Sequence, residues 1–249
     1  MNITTILSFL IASIITGYLI YKKAYPNNKL TCNHYILNSY LYILLSILLM
    51  IIFVILLSNH LSPSLYFIYG GGFGKFIIRI AVLIGILLFT LKTDPRNFIQ
   101  KHFGWLALVF GLSLNMLPIY LAAKNSGIFL STIFTTFTMV AIISGMAFYK
   151  PEWISLTWGP ILLSLLIIAI VMRIFMTFFM NPSTSLSSWQ RMLSYGIVGL
   201  FTFILLYDTK KLQINAKNCK IPDYVNESIN VFLDIINIFA NLVTGRLRR

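Results

Sequence analysis

Charged side chains are scarce in this chain, and acidic ones are the scarcest. Only 10% of the 249 residues are charged, against about 25% in soluble domains. Six residues are acidic and nineteen are lysine or arginine, while 58% are hydrophobic. A water-soluble fold of this length needs a more polar surface than this composition can provide, so the chain is expected in a membrane.

Cysteine and histidine are also rare. Cys32 and Cys219 are the two cysteines, and the sequence has no CxxC or Cys/His spacing that would indicate a metal site. Both fall in basic loops predicted to share one face of the membrane. This placement indicates reduced thiols in a cytosolic compartment, with a disulfide or a metal pair as the alternative. His34, His60 and His102 lie singly, and neither HExxH nor a serine elbow occurs.

Long apolar runs dominate the sequence instead. Eight of them approach the roughly 20 residues that a helix needs to cross a bilayer. They cover residues 3–19, 35–57, 76–91, 103–123, 128–148, 154–179, 192–207 and 229–243. The first run has no basic leader and no small-residue cleavage site, so we expect it to be retained. A glycine-rich stretch at residues 70–74 is interpreted as a flexible loop before the third run. The short eighth run could either cross the membrane or dip in and return.

Lysine and arginine are distributed unevenly between the loops. Alternate loops hold eleven of them, whereas the intervening loops hold only Lys75, Lys124 and Arg191. The positive-inside rule therefore places the loops that follow runs one, three, five and seven in the cytosol. Because the basic residues are split among separate short loops, no nucleic-acid surface is expected. Arg79 and Arg173 lie within runs and are interpreted as interface anchors, with pore lining as the alternative.

Two acidic residues lie where a carboxylate is costly. Asp208 closes the seventh run, and Asp234 lies within the eighth. An ionisable side chain at membrane depth costs about 2.5–3.5 kcal/mol to insert, so it indicates a functional site. Around Asp234, polar residues recur every three or four positions, a spacing that forms one stripe on a helix facing other helices or water. The stripe comprises Glu227, Asn230, Asp234, Asn237 and Asn241.

The charge count places the two aspartates at similar depth on the cytosolic side. Two carboxylates that meet in a low-dielectric site cannot both ionise cheaply, so we expect them to share a proton and to respond to pH or to a divalent cation. Carboxylate and amide oxygens suit calcium better than a transition metal. Asp208 and Asp234 are therefore the candidate proton sensor and metal-contacting pair, and the rest of the stripe is the candidate ion path. For Asp208, a role at a helix end beside Lys210 and Lys211 is the alternative.

The sequences LLYDTKKL at residues 205–212 and YVNESINVFLDIINIF at residues 224–239 resemble the C-terminal signature of the Bax inhibitor family, the transmembrane Bax inhibitor motif proteins. The resemblance implies an all-α polytopic membrane protein. Residues 31–249 would form a seven-helix core, and residues 1–30 would add one N-terminal span to the same membrane domain. In that family two aspartates form a proton-sensitive latch linked to a calcium leak, and the matching residues are Asp208 and Asp234. Lys101 and His102 occupy the place of the family's basic partner.

The function that this resemblance implies is a pH-sensitive calcium leak channel in an internal membrane such as the endoplasmic reticulum. Membrane lipid, Ca²⁺ and cell-death regulatory membrane proteins are the implied partners, and no resident cofactor is expected. One alternative is a non-conducting regulator of apoptosis that acts through protein partners. Another is an intramembrane aspartyl protease, since Tyr207-Asp208 matches the first half of that signature. Its second half is missing, because Asp234 follows the residues VFL and not a Gly-x-Gly turn. We therefore expect no enzyme activity.

Overall fold

The structure, a computed structural model, describes residues 3–60, 73–178 and 184–247. Within these ranges the chain is helical and has no strand, and eight helices are long and apolar enough to cross a membrane. They are α1 (Ile3–Ala24), α2 (Tyr35–His60), α3 (Phe73–Lys92), α4 (Phe98–Asn125), α5 (Phe129–Tyr149), α6 (Gly159–Phe178), α7 (Thr184–Lys217) and α8 (Tyr224–Leu247). The chain is therefore an all-α, multi-pass membrane protein, as predicted. Residues 70–72 of the glycine-rich loop lie outside the described ranges.

Helix α7 is much longer than the apolar run that predicts it. The run ends at residue 207, but the helix continues to Lys217. The added sequence, DTKKLQINAK, contains neither glycine nor proline and is rich in good helix formers, so nothing in it ends the helix. Asp208 consequently lies inside a helix, and its interpretation as a helix-end residue is wrong.

Helix α8 begins at Tyr224, ahead of the start predicted at residue 229. Asp223 caps it, because its Oδ1 accepts a hydrogen bond from the Asn226 backbone N–H over 3.0 Å. The helix has 24 residues and so spans about 36 Å, more than the roughly 30 Å thickness of a hydrocarbon core. It is one continuous helix, so the structure favours a complete crossing over a segment that dips in and returns.

Helix α8 is also the most deeply buried helix described. In its most apolar window 67% of the residues are buried, compared with 6–44% for the other seven helices. Its sequence is less apolar than most of theirs, with a mean hydropathy of 1.4. Protein neighbours therefore surround a helix that carries many polar residues, which agrees with the prediction that its polar stripe does not face lipid.

The described helices belong to two compact units. The first comprises Met1–Pro118 and Ala216–Ile229, and in it α1 packs against α2. The second comprises Ile119–Asn215 and Asn230–Arg249, and it holds α5, α6, most of α7 and the larger part of α8. The assignment of the whole chain to one membrane domain, with residues 1–30 as an added span, stays a prediction.

A disulfide bond joins Cys32 to Cys219 in the first unit, so the prediction of two reduced thiols is wrong. No local spacing in the sequence predicts this disulfide, because 187 residues separate the two cysteines. Their loops meet where the hydroxyl of Tyr224, at the start of α8, donates to the carbonyl oxygen of Thr31. Disulfides persist in oxidising surroundings. The cytosolic assignment of this face therefore rests on the charge count alone.

Candidate functional site

Asp208 on α7 and Asp234 on α8 meet within the second unit. A side-chain hydrogen bond links their carboxyl groups, and Asp234 is only 3% exposed. Ionised carboxylates can only accept, so a hydrogen bond between two carboxyl groups requires a shared proton. The second oxygen of Asp234, Oδ2, has no hydrogen-bond partner among the described residues. The structure thus brings the two predicted residues together, the half-buried Asp208 against the buried Asp234.

Apolar side chains flank Asp234 along its own helix. Val231, Phe232 and Ile238 are each at most 1% exposed. These residues lie within about one turn of the aspartate and keep water from that part of α8. In such surroundings the interaction between two charges is several times stronger than in water. A change in the charge of the pair therefore has a large energetic effect.

The two asparagines that follow Asp234 on the stripe turn their amide nitrogens onto their own helix. Asn237 Nδ2 donates to the Leu233 carbonyl oxygen and Asn241 Nδ2 to the Asn237 carbonyl oxygen, each over 2.8 Å. These bonds leave the side-chain carbonyl oxygens to accept from other groups. Asn241 Oδ1 accepts a hydrogen bond from Arg173 on α6. Asn230 is half-buried in the same unit.

Glu227, the remaining member of the stripe, lies in the first unit, in the first turn of α8. A side-chain hydrogen bond links it to Tyr35 on α2. The ring of Tyr35 also packs against that of Tyr224, with 5.3 Å between the ring centroids. Glu227 therefore takes part in anchoring the start of α8, and its role at the mouth of an ion path stays a prediction.

Lys101, one of the two candidate basic partners, is buried in the first unit and paired with Asp223. Its side chain is 1% exposed, and Nζ lies 2.7 Å from Asp223 Oδ2. The same nitrogen donates to Asn226 Oδ1 over 2.8 Å and to the carbonyl oxygens of Thr90 and Thr93 over 3.0 Å each. An ammonium group has three N–H donors, and these four oxygens satisfy them. The structure thus gives this lysine a carboxylate partner that the sequence analysis does not single out.

Asp223 has two functions at the start of α8. Its Oδ1 caps the helix, and its Oδ2 accepts from Lys101. Asn226, which supplies the capped N–H, also donates through Nδ2 to the Leu91 carbonyl oxygen over 2.9 Å. Sequence reasoning misses Asp223 because apolar content alone predicts that α8 starts at residue 229. An aspartate just ahead of a helical segment is the capping signal that identifies it.

His102, the other candidate basic partner, belongs to an aromatic cluster in the first unit. Its Nδ1 lies 2.7 Å from the Phe98 carbonyl oxygen and so carries a proton. Its Nε2 lies 2.6 Å from the Tyr42 hydroxyl, which in turn lies 3.2 Å from the Tyr25 hydroxyl. Burial raises the pKa of the Tyr25 phenol above its ordinary value, so the phenol remains a donor. With its proton on Nδ1, a neutral imidazole accepts from the Tyr42 hydroxyl at Nε2.

Arg246, near the end of α8, contacts the start of α5 in the second unit. Its guanidinium donates to the hydroxyls of Ser131, Thr132 and Thr135 over 3.1, 3.0 and 2.7 Å. The charge count places the loop before α5, which contains Lys124, outside the cytosol. The end of α8 therefore lies on the side that a complete crossing of the membrane requires.

A sequence model described as inhibitor of apoptosis-promoting Bax1 matches residues 32–245 of the chain. The chain belongs to the Bax inhibitor family. The matched range runs from the loop before α2 almost to the end of α8 and leaves out α1. Membership of the Bax inhibitor family supports a multi-pass membrane protein that modulates cell death. Neither the comparison with curated proteins nor that with solved structures gave a match.

The part of this Bax inhibitor family protein that the structure describes contains no group of three or more His, Cys, Asp or Glu side chains able to hold a metal ion. Calcium in a stable site takes about six to eight oxygen ligands. Asp208 and Asp234 supply two carboxyl groups, which is too few for such a cage.

Proposed function

We propose that this Bax inhibitor family protein is a pH-gated cation leak in an internal membrane such as the endoplasmic reticulum, with calcium as its main ion. One observation carries the proposal: the half-buried Asp208 on α7 is hydrogen-bonded to the buried Asp234 on α8, and Asp234 keeps one oxygen without a partner among the described residues. A shared proton holds the two helices together through this bond. Loss of that proton leaves two like charges in contact.

The energy available from this change is large enough to gate a channel. Two unit charges about 4 Å apart repel by about 4 kcal/mol at an effective dielectric constant near 20. Since about 1.4 kcal/mol corresponds to a tenfold change in an equilibrium constant, the repulsion can shift a two-state equilibrium by about a thousandfold. A calcium ion that enters between the carboxylates would relieve the same repulsion. Deprotonation therefore both loosens the contact between α7 and α8 and creates a site that attracts cations.

The asparagines beyond Asp234 support a polar route for the ion. The side-chain oxygens of Asn237 and Asn241 lie about one and two turns farther along α8. Amide oxygens can replace part of the hydration shell of a hard cation such as calcium. A leak from an internal store would connect this site to the cell-death role of the family, and membrane proteins that regulate cell death would be its partners.

The test is calcium flux in vesicles that contain the purified protein, measured over a range of pH. We expect wild-type flux to rise as the pair loses its proton. Asp208→Asn and Asp234→Asn should remove the pH dependence and hold the flux at the low level of the protonated wild type, because a neutral pair resembles that state. The exposed Asp94 gives a matched control, and Asp94→Asn should behave as wild type.

The same experiment separates the leak from its two rivals. An intramembrane aspartyl protease would lose all turnover with either substitution of the pair, whereas a leak keeps a low flux that no longer depends on pH. A wild-type protein that passes no calcium at any pH would exclude the leak. That result would favour a non-conducting regulator that acts through protein partners.

A further inference from the structure

Helix α7 has a second contact face, on the side away from the aspartate pair. Lys210 Nζ donates a hydrogen bond to the carbonyl oxygen of Ile154, in the segment of residues 150–158 between α5 and α6 (the α5–α6 segment). Gln213 Nε2 donates to the carbonyl oxygen of Ala147, in the last turn of α5, over 3.0 Å. Both acceptor residues are buried, and all four residues belong to the second unit. Two hydrogen bonds therefore attach α7 to the end of α5 and to the segment that follows it.

Two aromatic contacts extend this face back along α7. The ring of Phe203 packs edge-on against that of Trp158 in the α5–α6 segment, with 6.4 Å between the ring centroids. Tyr207 lies so close to Gly159, the first residue of α6, that a methyl group added to this glycine would be 2.8 Å from the Tyr207 hydroxyl oxygen. The contacting residues of α7 recur every three or four positions from Phe203 to Gln213, which places them on one face of the helix.

Asp208 lies on nearly the opposite side of the same helix. Successive residues of an α-helix are turned by about 100°, so Asp208 points about 160° away from Lys210. There its carboxyl group makes the hydrogen bond with Asp234 on α8. One stretch of α7 is thus held by the α5–α6 segment on one face and by α8 on the other. A rotation or slide of α7 that carries Asp208 away from Asp234 also breaks the hydrogen bonds on the far face.

The other charged groups near this part of the second unit are few. The α5–α6 segment holds one base and one acid, Lys150 and Glu152, which pair with each other over 3.7 Å and are exposed. Helix α5 has no charged residue, and α6 has only Arg173, in its last two turns. The two helices of the pair carry five more charged residues, each at least three positions from the aspartate of its own helix: Arg191, Lys211, Lys217, Glu227 and Arg246. Lys210 is therefore the one charged donor in the contact between α7 and the α5–α6 segment.

We propose that Lys210 is a positioning residue of the aspartate pair: its hydrogen bond to the Ile154 carbonyl oxygen fixes the rotation of α7 at which the two carboxyl groups meet. This inference rests on the proposed function and adds the element that opposes opening. Gln213 supports the same rotation through its bond to α5. In the closed state both bonds are made, whereas opening by movement of α7 gives them up. The α5–α6 segment thus sets how readily the pair comes apart.

The test is the pH at which calcium flux through vesicles reaches half of its maximum (the flux midpoint), compared between wild type and Lys210→Met. Methionine keeps the length of the side chain but removes its donors and its charge. A hydrogen bond from a charged donor changes an equilibrium constant by about tenfold, so we expect a midpoint about one pH unit below wild type. The midpoint falls because a less stable closed state holds its proton less tightly. Loss of a nearby positive charge alone would have the opposite effect, because carboxyl groups would then keep their proton to a higher pH.

Three further variants separate the hydrogen bond from the charge. Gln213→Met removes the other hydrogen bond without a change in charge and should also lower the midpoint, by less than Lys210→Met does. Lys210→Arg keeps the charge and the donors and should behave as wild type. Lys217→Met, at an exposed lysine two turns farther along α7, is the control and should leave the midpoint unchanged.

A flux midpoint that is unchanged or raised in Lys210→Met would overturn this inference and leave the proposed leak standing. Equal shifts in the methionine and arginine variants of Lys210 would also overturn it. If Lys210→Met does not fold, Gln213→Met decides, and a midpoint no lower than that of wild type counts against the inference. Infrared absorption of the protonated carboxyl group gives a midpoint that does not depend on flux. A wild type that passes no calcium would therefore refute the leak, while the infrared midpoint of Lys210→Met still decides whether the lysine positions the pair.

Discussion

The buried ion pair of Lys101 and Asp223 gives the sharpest prediction about stability. Lys101→Met keeps the length of the side chain but removes its charge and its hydrogen bonds. Breaking a buried pair by removing one partner costs about 3–5 kcal/mol, because the other charge is left uncompensated. The Asp223 side chain is 21% exposed, so water can partly solvate it. We therefore expect a loss near the lower limit, about 3 kcal/mol.

Thermal unfolding of the purified protein in detergent measures this loss. In a chain of this size about 1 kcal/mol corresponds to a change of about 2–4 °C in the unfolding temperature, so Lys101→Met should unfold about 6–12 °C below wild type. Lys92→Met, at an exposed lysine, is the control and should change it by less than about 2 °C. Asp223→Asn keeps an N-cap residue and removes the stranded charge, so adding it to Lys101→Met should cost less than the sum of the two single changes. A Lys101→Met protein as stable as wild type would refute the buried ion pair.

Two further predictions concern the disulfide and the polar stripe. An impermeant thiol reagent should label Cys32 and Cys219 only after reduction, and then from the same side of the membrane. Labelling before reduction would contradict the disulfide, and labelling from opposite sides would contradict the eight-span arrangement. On the stripe, Asn237→Leu removes the side-chain hydrogen bond to the Leu233 carbonyl oxygen of the same helix. The variant should insert and remain monodisperse, since even an interhelical side-chain hydrogen bond in a membrane is worth only about 0.6 kcal/mol, yet it should pass less calcium at every pH. Ile235→Leu on the same helix is its control, and equal flux in the two would assign the route to other residues.

The helices could be predicted well because hydropathy reports directly on which segments a bilayer accepts. Each of the eight apolar runs corresponds to one helix of the structure. The errors lie at helix ends, where hydropathy carries no information. α7 continues past Tyr207 because its polar extension has high helix propensity, and α8 starts early because Asp223 caps it.

Contacts between distant segments could be predicted only where a motif indicated them. The resemblance of residues 205–212 and 224–239 to a known signature pairs Asp208 with Asp234. The three-and-four spacing on α8 predicts a polar face but not the residue that meets it, so the contact between Arg173 and Asn241 escapes prediction. Lys101 and Asp223 lie 122 positions apart. Periodicity identifies the face of one helix, whereas such a pairing depends on how several helices pack.

The shared proton of Asp208 and Asp234 is the central claim, and infrared difference spectroscopy tests it most directly. Spectra of the purified protein in lipid, recorded across the pH range in which calcium flux changes, report protonated carboxyl groups separately from ionised ones. We expect wild type to show one protonated carboxyl group that disappears in step with the rise in flux. The same signal should be absent from both Asp208→Asn and Asp234→Asn. Absence of this signal from wild type would contradict a shared proton at the pair, and so would its persistence in either variant.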